Sequence, residues 1–295
     1  MRSFIGLIRR EYLEHRVIFL YVPLVLVLLF AASAVTALFS GNVRAVLRIS
    51  AGTPANIYNG LYFGLATLWW LYLAAMLFFY FADAYNSDTR NNAMLFWKSM
   101  PQTDFKILMS KFAAGLTIFP LLVFIACLVC GLLLVGFVLL APGIMGVATV
   151  VPSPGFLLRG WGGMTLVLFG YLVLALLWYA PFLAWVGMLS TFVGRWSIPL
   201  AIGIPLLLST IEGLFDFTSA PGGSYILNYL RWRGDFRYDT EPLFEAIFAL
   251  ASFDPWKTIG ALLAGYDWPQ MLIGLVFAVS VIFVASLYRR RVIKG

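Results

Sequence analysis

The chain has 295 residues, of which 62% are hydrophobic and 11% are charged, and its formal net charge is +7. An ordinary soluble domain has about a quarter of its residues charged, so this composition excludes a soluble globular protein. The long apolar runs are continuous rather than alternating, which excludes a transmembrane β-barrel. We therefore predict an all-α polytopic membrane protein whose basic residues orient it in the membrane and do not bind nucleic acid.

Residues 1–17 form a helical pattern with an apolar side and a charged side. The apolar side contains Phe4, Ile5, Ile8 and Tyr12, with Leu7 at its margin, and the charged side contains Arg9, Arg10, Glu11 and Glu14. This pattern predicts an amphipathic helix that lies in the membrane interface with its arginines facing anionic headgroups. The alternative is a basic flank that only sets the topology. The apolar run that follows is longer than that of a signal peptide and is interpreted as a retained anchor.

Six apolar segments are each long enough for a bilayer crossing, which needs about 20 residues. The predicted transmembrane helices cover residues 18–39, 61–82, 112–140, 164–192, 198–215 and 269–288. Pro120 is expected to bend the third helix. Trp69 and Trp70 lie well inside the second helix, which favours packing against protein or lining a cavity over a place at the membrane surface. Cys127 and Cys130, three positions apart, are interpreted as packing residues rather than metal ligands.

The segments between these helices predict the topology. If both termini and residues 84–111 lie on one side, that side holds thirteen of the 20 Lys and Arg residues and the other side holds seven. The positive-inside rule assigns the richer side to the cytoplasm. On the outer side, the connection 216–268 contains two moderately apolar pieces, SYILNYLRW and PLFEAIFALA. They predict short helices at the outer surface rather than a further crossing.

The cytoplasmic stretch 84–111 combines aromatic and charged residues. Three consecutive apolar residues are surrounded by basic ones: Leu95, Phe96 and Trp97 with Arg90, Lys98 and Lys106. Pro101 ends one helical piece, and Thr103 or Asp104 can cap the next helix. An aromatic centre with a charged rim is typical of a protein-binding hot spot. A loop anchored in the membrane interface by Phe and Trp accounts for the same residues equally well.

The pattern RREYLEHR, six spans with both ends on one side, and the phrase LFWKSMPQTDFKILMSK after the second span resemble a bacterial ATP-binding-cassette (ABC) exporter permease of the second type. The layout covers the whole chain, and the specific similarity is confined to that phrase. The resemblance implies a coupling helix near Leu95–Asp104 seated in a cleft of the ATPase subunit, the turn GRWS as a lesser contact, and surface or re-entrant helices between spans five and six. The residues it assigns to coupling are Arg90, Leu95, Phe96, Trp97, Lys98, Ser99, Met100, Pro101, Asp104 and Arg195.

The chain lacks the phosphate-binding motif G-x-x-x-x-G-K-[ST], so ATP and Mg are expected on a partner chain. The resemblance implies two cytoplasmic ABC ATPase subunits and a second permease chain, as a homodimer in the bacterial inner membrane. We expect a hydrophobic or amphipathic cargo, such as a peptide, lipid or drug. Trp69, Trp70 and Glu212 are the candidate cargo-path residues.

Two other function classes compete with a permease. An intramembrane enzyme needs paired acids, a nucleophile with its base, or several metal ligands. The chain has one histidine, His15, and no such grouping in its sequence, so no catalytic or metal-ligating residue is assigned. A non-catalytic membrane scaffold or assembly factor would have the same topology and the same basic loops, and it remains the main alternative.

Overall fold

The computed structural model describes residues 2–39, 54–90, 102–145, 153–214, 225–235 and 254–292. Ten α-helices account for most of these residues, and no strand occurs among them. They are α1 Arg2–Arg16, α2 Val22–Leu38, α3 Pro54–Arg90, α4 Asp104–Leu116, α5 Ile118–Met145, α6 Pro154–Val193, α7 Ser197–Leu214, α8 Tyr225–Gly234, α9 Pro255–Ala264 and α10 Trp268–Val292.

Six helical segments of the described chain are long and apolar enough to cross a membrane. This confirms the predicted all-α class with six spans and supports a multi-pass membrane protein. The helices extend beyond the predicted apolar runs: α3 continues to Arg90, and α6 already begins at Pro154. The extensions are polar or Gly-rich, so hydropathy alone does not include them.

The N-terminal helix and the first span are one continuous helical segment. A single π-helical turn, Val17–Tyr21, connects α1 to α2 without a break. Within this turn Phe19 is buried and stacks on Phe119 of α5, with 4.1 Å between ring centroids. The wide turn therefore lies where the segment packs against α5.

The third span consists of two helices separated at Thr117. The prediction placed a bend at Pro120, and the interruption lies three residues earlier, where Thr117 has φ −122° and ψ −74°. A proline ring collides with the carbonyl of the residue four positions before it, which here is Leu116. The helix therefore ends at Leu116 and restarts at Ile118.

Helix α6 lies at the centre of the bundle and packs against α3, α5, α7, α9 and α10. Its contact with α3 is close at Gly187, where an added Cβ would lie 2.9 Å from the ring of Tyr85. Tyr85 is 1% exposed, so its ring has no room to move away. Glycine at this position therefore sets the distance between the two helices.

Between the fifth and sixth spans the described residues form two short helices, α8 and α9. Helix α8 contains most of the predicted piece SYILNYLRW, and the predicted piece PLFEAIFALA lies outside the described residues. Both carboxylate oxygens of Glu212, near the end of α7, accept from the first backbone amides of α8, at 2.7 Å from Tyr225 and 3.1 Å from Ile226. Asp254 is the N-cap of α9, and its Oδ1 accepts from the amides of Trp256 and Lys257 at 3.0 Å and 3.4 Å. Tyr266, just after α9, is buried and donates to the Leu174 carbonyl of α6 at 3.0 Å; burial raises the pKa of its hydroxyl, so it stays protonated.

The start of α4 confirms one of the predicted caps. The Thr103 hydroxyl accepts from the Lys106 amide at 3.4 Å, and Thr103 has extended backbone angles. Replacing Thr103 with Ala is expected to lower the free energy of unfolding by about 1 kcal/mol, measured by SDS titration in mixed micelles. Thr103→Ser, which keeps the hydroxyl, is the control and should stay within about 0.5 kcal/mol of the native chain. Equal losses in both variants would contradict the cap.

Candidate functional site

Four buried charged residues meet at one end of the bundle. We call Glu11 of α1, Asp88 of α3, Lys111 of α4 and Arg289 of α10 the ion cluster. Each is at most 2% exposed. Long charged side chains are almost never fully buried unless they are paired, and here two acids and two bases balance each other. The cluster therefore joins four separate helices by charge as well as by packing.

Lys111 and Arg289 both contact Asp88. Lys111 Nζ lies 2.8 Å from Glu11 Oε1 and 3.7 Å from Asp88 Oδ1. Arg289 Nη2 lies 3.2 Å from Asp88 Oδ2. The Tyr80 hydroxyl is 3.0 Å from the Lys111 carbonyl oxygen and 3.3 Å from Glu11 Oε2, so its hydrogen points between two acceptors. Asp88 is thus the centre of the ion cluster.

Two further residues extend the ion cluster towards its exposed edge. Arg10 Nη2 lies 3.8 Å from Asp88 Oδ1 and 3.7 Å from Glu14 Oε2. On the other side, Arg289 Nε lies 3.3 Å from Asp104 Oδ1, whose side chain is 32% exposed. Since part of Arg10 and Asp104 reaches solvent, these contacts contribute less than the buried ones.

Arg289 contacts both flanks of residues 91–101, the part of the stretch 84–111 that we call the central stretch. Asp88 lies near the end of α3, and Asp104 is the first residue of α4. The segment 91–101 between these two helices is outside the described residues. One guanidinium therefore fixes the two helix ends between which this segment runs.

The turn after α6 lies at the same end of the bundle. Gly194 has φ +56°, a left-handed value that favours glycine, and an added Cβ would lie 3.0 Å from Asn86 Nδ2 of α3. The Ser197 hydroxyl donates to the Ala82 carbonyl, also in α3, at 3.1 Å. The turn Gly194–Trp196 thus rests on the last turns of α3, beside the ion cluster.

Most residues assigned to coupling belong to the segment 91–101. Leu95, Phe96, Trp97, Lys98, Ser99, Met100 and Pro101 lie outside the described residues. For Arg90 and Arg195 only the backbone is described, at the end of α3 and in the turn Gly194–Trp196. Asp104 is described and forms an ion pair with Arg289. The end of α3 that contains Arg90 and the turn that contains Arg195 lie at the same end of the bundle. The assignment of all these residues to coupling stays a prediction.

Helix α1 packs on the bundle through a face that includes Leu7 and Glu11, which are 8% and 2% exposed. Ile5, from the apolar side that was predicted to lie in the membrane interface, is 65% exposed. Glu11, which was assigned to the charged side with Arg9 and Arg10, is buried in the bundle, where Lys111 of α4 supplies its counter-charge. Arg9 is exposed, and Arg10 is partly buried against Asp88. The helix therefore packs on α4 with an acid in the middle of its inner face.

The candidate cargo-path residues have protein partners. Trp69 is 7% exposed, and the ring of Trp70 lies edge-on to Tyr171 of α6 with 5.4 Å between centroids. The carboxylate of Glu212 holds the start of α8. Packing and capping account for these contacts, and a role in a cargo path stays a prediction.

Three members of the ion cluster, Asp88, Lys111 and Arg289, were not recognised as site residues in the sequence. Their signal is weak because the partners are 100 and 201 positions apart in the chain. One local cue exists: Lys111 stands between Ser110 and Phe112, both buried, at the entrance to an apolar span. A lysine there needs a counter-charge from another helix.

Within the described ranges, no group of three or more His, Cys, Asp or Glu side chains is arranged to hold a metal ion. Comparison with known proteins identifies no relative: no protein-family model, curated protein or solved structure matches the chain. The site is therefore interpreted from its own geometry and from the sequence.

Proposed function

We propose that this chain is the permease subunit of an ABC exporter, driven by ATP hydrolysis on a separate ATPase subunit. The observation that carries the proposal is the ion cluster, which joins α1, α3, α4 and α10 at the end of the bundle where the central stretch begins and ends. A force applied to that stretch would act on four helices at once. Coupling a soluble ATPase to transport requires such a connection between the contact site of the ATPase and several membrane helices.

In this mechanism the ATPase contacts the central stretch, and closure of the two ATPases moves it as a rigid body. Arg289 and Asp88 transmit the motion to the last span, and Lys111 and Glu11 transmit it to the N-terminal helix. Helices α3 and α4 then carry it towards the membrane centre. The break at Thr117 allows α4 to move with the ion cluster while α5 keeps its place.

The proposed orientation puts the ion-cluster end in the cytoplasm of a bacterial inner membrane. Both α1 and the C-terminal end of α10 meet there, and the basic residues favour this side. Part of α1 would lie at the membrane interface, and α8 and α9 would lie at the outer side. In the first and fifth spans only 11% of the residues in the apolar 18-residue core are buried, against 33–39% in the other spans, which leaves apolar surface for lipid and for a second permease chain.

The proposal predicts that the central aromatic pair is required for binding the ATPase. Replacing Phe96 and Trp97 with Ala should abolish co-purification of a phosphate-loop ATPase from native membranes in mild detergent, because a hot spot loses most of its binding energy when its aromatic residues are truncated. The measurement is the ATPase activity and peptide content of the affinity eluate. The matched control is Phe156→Ala with Trp256→Ala, an exposed Phe/Trp pair at the opposite end of the bundle.

Two outcomes would contradict this proposal. If the unaltered chain brings down no ATPase under several detergents, the scaffold becomes the better explanation. If an ATPase co-purifies equally with both double variants, the central stretch is not its contact.

A further inference from the structure

A cleft of about 600 Å³ opens between α6, α7, α8 and α10, away from the ion cluster. This volume is in the range of small-molecule sites, about 300–1,000 Å³. Its walls are apolar side chains such as Phe182, Ile202, Leu230 and Phe277. The residues that line it include one with a charge, Arg233 of α8. The cleft therefore combines an apolar wall with a single cation.

The guanidinium of Arg233 lies at the edge of this cleft. An added Cβ on Gly274 would collide with Arg233 Nη2 and would lie 2.9 Å from the ring of Pro181. Both Gly274 and Pro181 line the cleft. The charged group thus sits against two of its wall residues, and Gly274 of α10 provides the space for it.

Arg233 is held by neutral partners. Nη1 donates to the Gln270 carbonyl at 2.8 Å and Nη2 to the Trp178 carbonyl at 3.3 Å, and the guanidinium lies 4.3 Å from the centroid of the Trp178 ring. Among the described residues no carboxylate pairs with it. Arginine has five N–H donors and always carries its charge, so this buried cation has both donors and charge left for an anion.

A buried donor without an acceptor lies beside the cleft. Trp185 lines the same cleft, and its indole Nε1–H is buried with no acceptor among the described residues. Trp185 follows Pro181 by four positions on α6 and is therefore on the same side of the helix. A buried donor without an acceptor is costly, and an oxygen-bearing ligand would satisfy it.

We propose that this cleft binds an anionic amphiphile, with its acyl chain along the apolar wall and its acidic head at Arg233. The guanidinium supplies the charge complement, and the apolar walls exclude a fully polar anion. The Trp185 indole donates to an oxygen of the ligand. A free fatty carboxylate and the phosphate of an anionic phospholipid share this chemistry. The site is independent of the proposed ATPase partnership, so its failure leaves that proposal unaffected.

The test is photolabelling of the full chain in nanodiscs of zwitterionic phosphatidylcholine. The probes are palmitate with a mid-chain diazirine and its methyl ester, which has the same chain without the charge. We expect saturable labelling by the acid in peptides containing Phe182 and Phe277, and at least about tenfold weaker labelling by the ester, since charge-assisted hydrogen bonds are lost. Equal labelling by acid and ester, or labelling spread over all spans, would overturn the proposal without any variant.

Variants of Arg233 test whether its guanidinium binds the acidic head of the probe. Arg233→Gln should reduce labelling by the acid to the level of the ester, and Arg233→Lys should keep most of it. Arg231→Gln is the matched control, because Arg231 is exposed on the same helix, and its labelling should not change. Retention of the label in a folded Arg233→Gln protein would contradict the role of the guanidinium.

Competition distinguishes the two sources of the ligand. Displacement of the label at lower concentrations of phosphatidylglycerol than of unlabelled palmitate identifies an anionic phospholipid, and the reverse order identifies a fatty acid; either supports the site. The proposal is overturned if neither lipid displaces the label. It is also overturned if cross-linking shows that a second copy of the chain occupies the cleft in place of a lipid.

Discussion

Replacing Lys111 with Met should lower the free energy of unfolding by about 3–5 kcal/mol, the usual cost of removing one partner of a buried ion pair. Met has a similar length, so little packing is lost and the effect reports the charge. Lys111 is fully buried, and its ammonium is 2.8 Å from Glu11. Without it, Glu11 and Asp88 remain as two buried acids near each other. SDS titration of the purified chain in mixed micelles measures the change.

Two companion variants make this result specific. Lys257→Met removes an exposed lysine and should cost less than about 0.5 kcal/mol. The double variant Glu11→Met with Lys111→Met should be more stable than Lys111→Met alone, because no uncompensated acid from that pair remains. If the double variant loses as much stability as Glu11→Met and Lys111→Met lose in sum, Glu11 and Lys111 do not interact.

Replacing Arg289 with Gln should cost a similar amount, about 3–5 kcal/mol, and should also uncouple the two helices next to the central stretch. The guanidinium is the one group in the described chain that contacts both Asp88 and Asp104. Its neighbour Arg290 is exposed on the same helix. Arg290→Gln is therefore a matched control for charge and sequence context, with an expected loss below about 0.5 kcal/mol.

The two acids that Arg289 binds should respond unequally to substitution. The Asp88 side chain is 1% exposed, whereas that of Asp104 is 32% exposed. Asp88→Asn should therefore destabilise the chain several times more than Asp104→Asn, since solvent screens the outer pair. Equal losses, or a larger loss for Asp104→Asn, would contradict the placement of Asp88 at the centre of the ion cluster.

The number and approximate positions of the spans could be predicted because continuous apolar runs carry that information locally. The helix ends could not, since they depend on partners. Helix α3 continues past its apolar run to Arg90 because Asp88 is held by Lys111 and Arg289. The break at Thr117 lies three residues before Pro120, which was expected to cause it. The reason is that the proline ring collides with the carbonyl four positions earlier, that of Leu116.

The ion cluster could not be predicted from the sequence, because its residues come from four different helices. Glu11 was assigned to the charged side of the N-terminal helix, away from its apolar side. Its burial depends on Lys111 of a different helix, which the local pattern does not contain. The position of Arg233 could not be predicted for the same reason. Gly274, which gives its guanidinium space, is forty-one positions later in the chain.

The ion cluster also has a consequence for biogenesis. A chain made from its N-terminus presents Glu11, Asp88 and Lys111 to one another long before Arg289 is synthesised, 201 positions after Asp88. Until then these three residues carry one excess negative charge, which is costly to bury. Insertion of the last helix brings the set to neutrality and lets it close. A ribosome-stalled chain that ends before α10 should therefore stay sensitive to protease at this end, and the release of the finished protein from quality control would follow the arrival of Arg289.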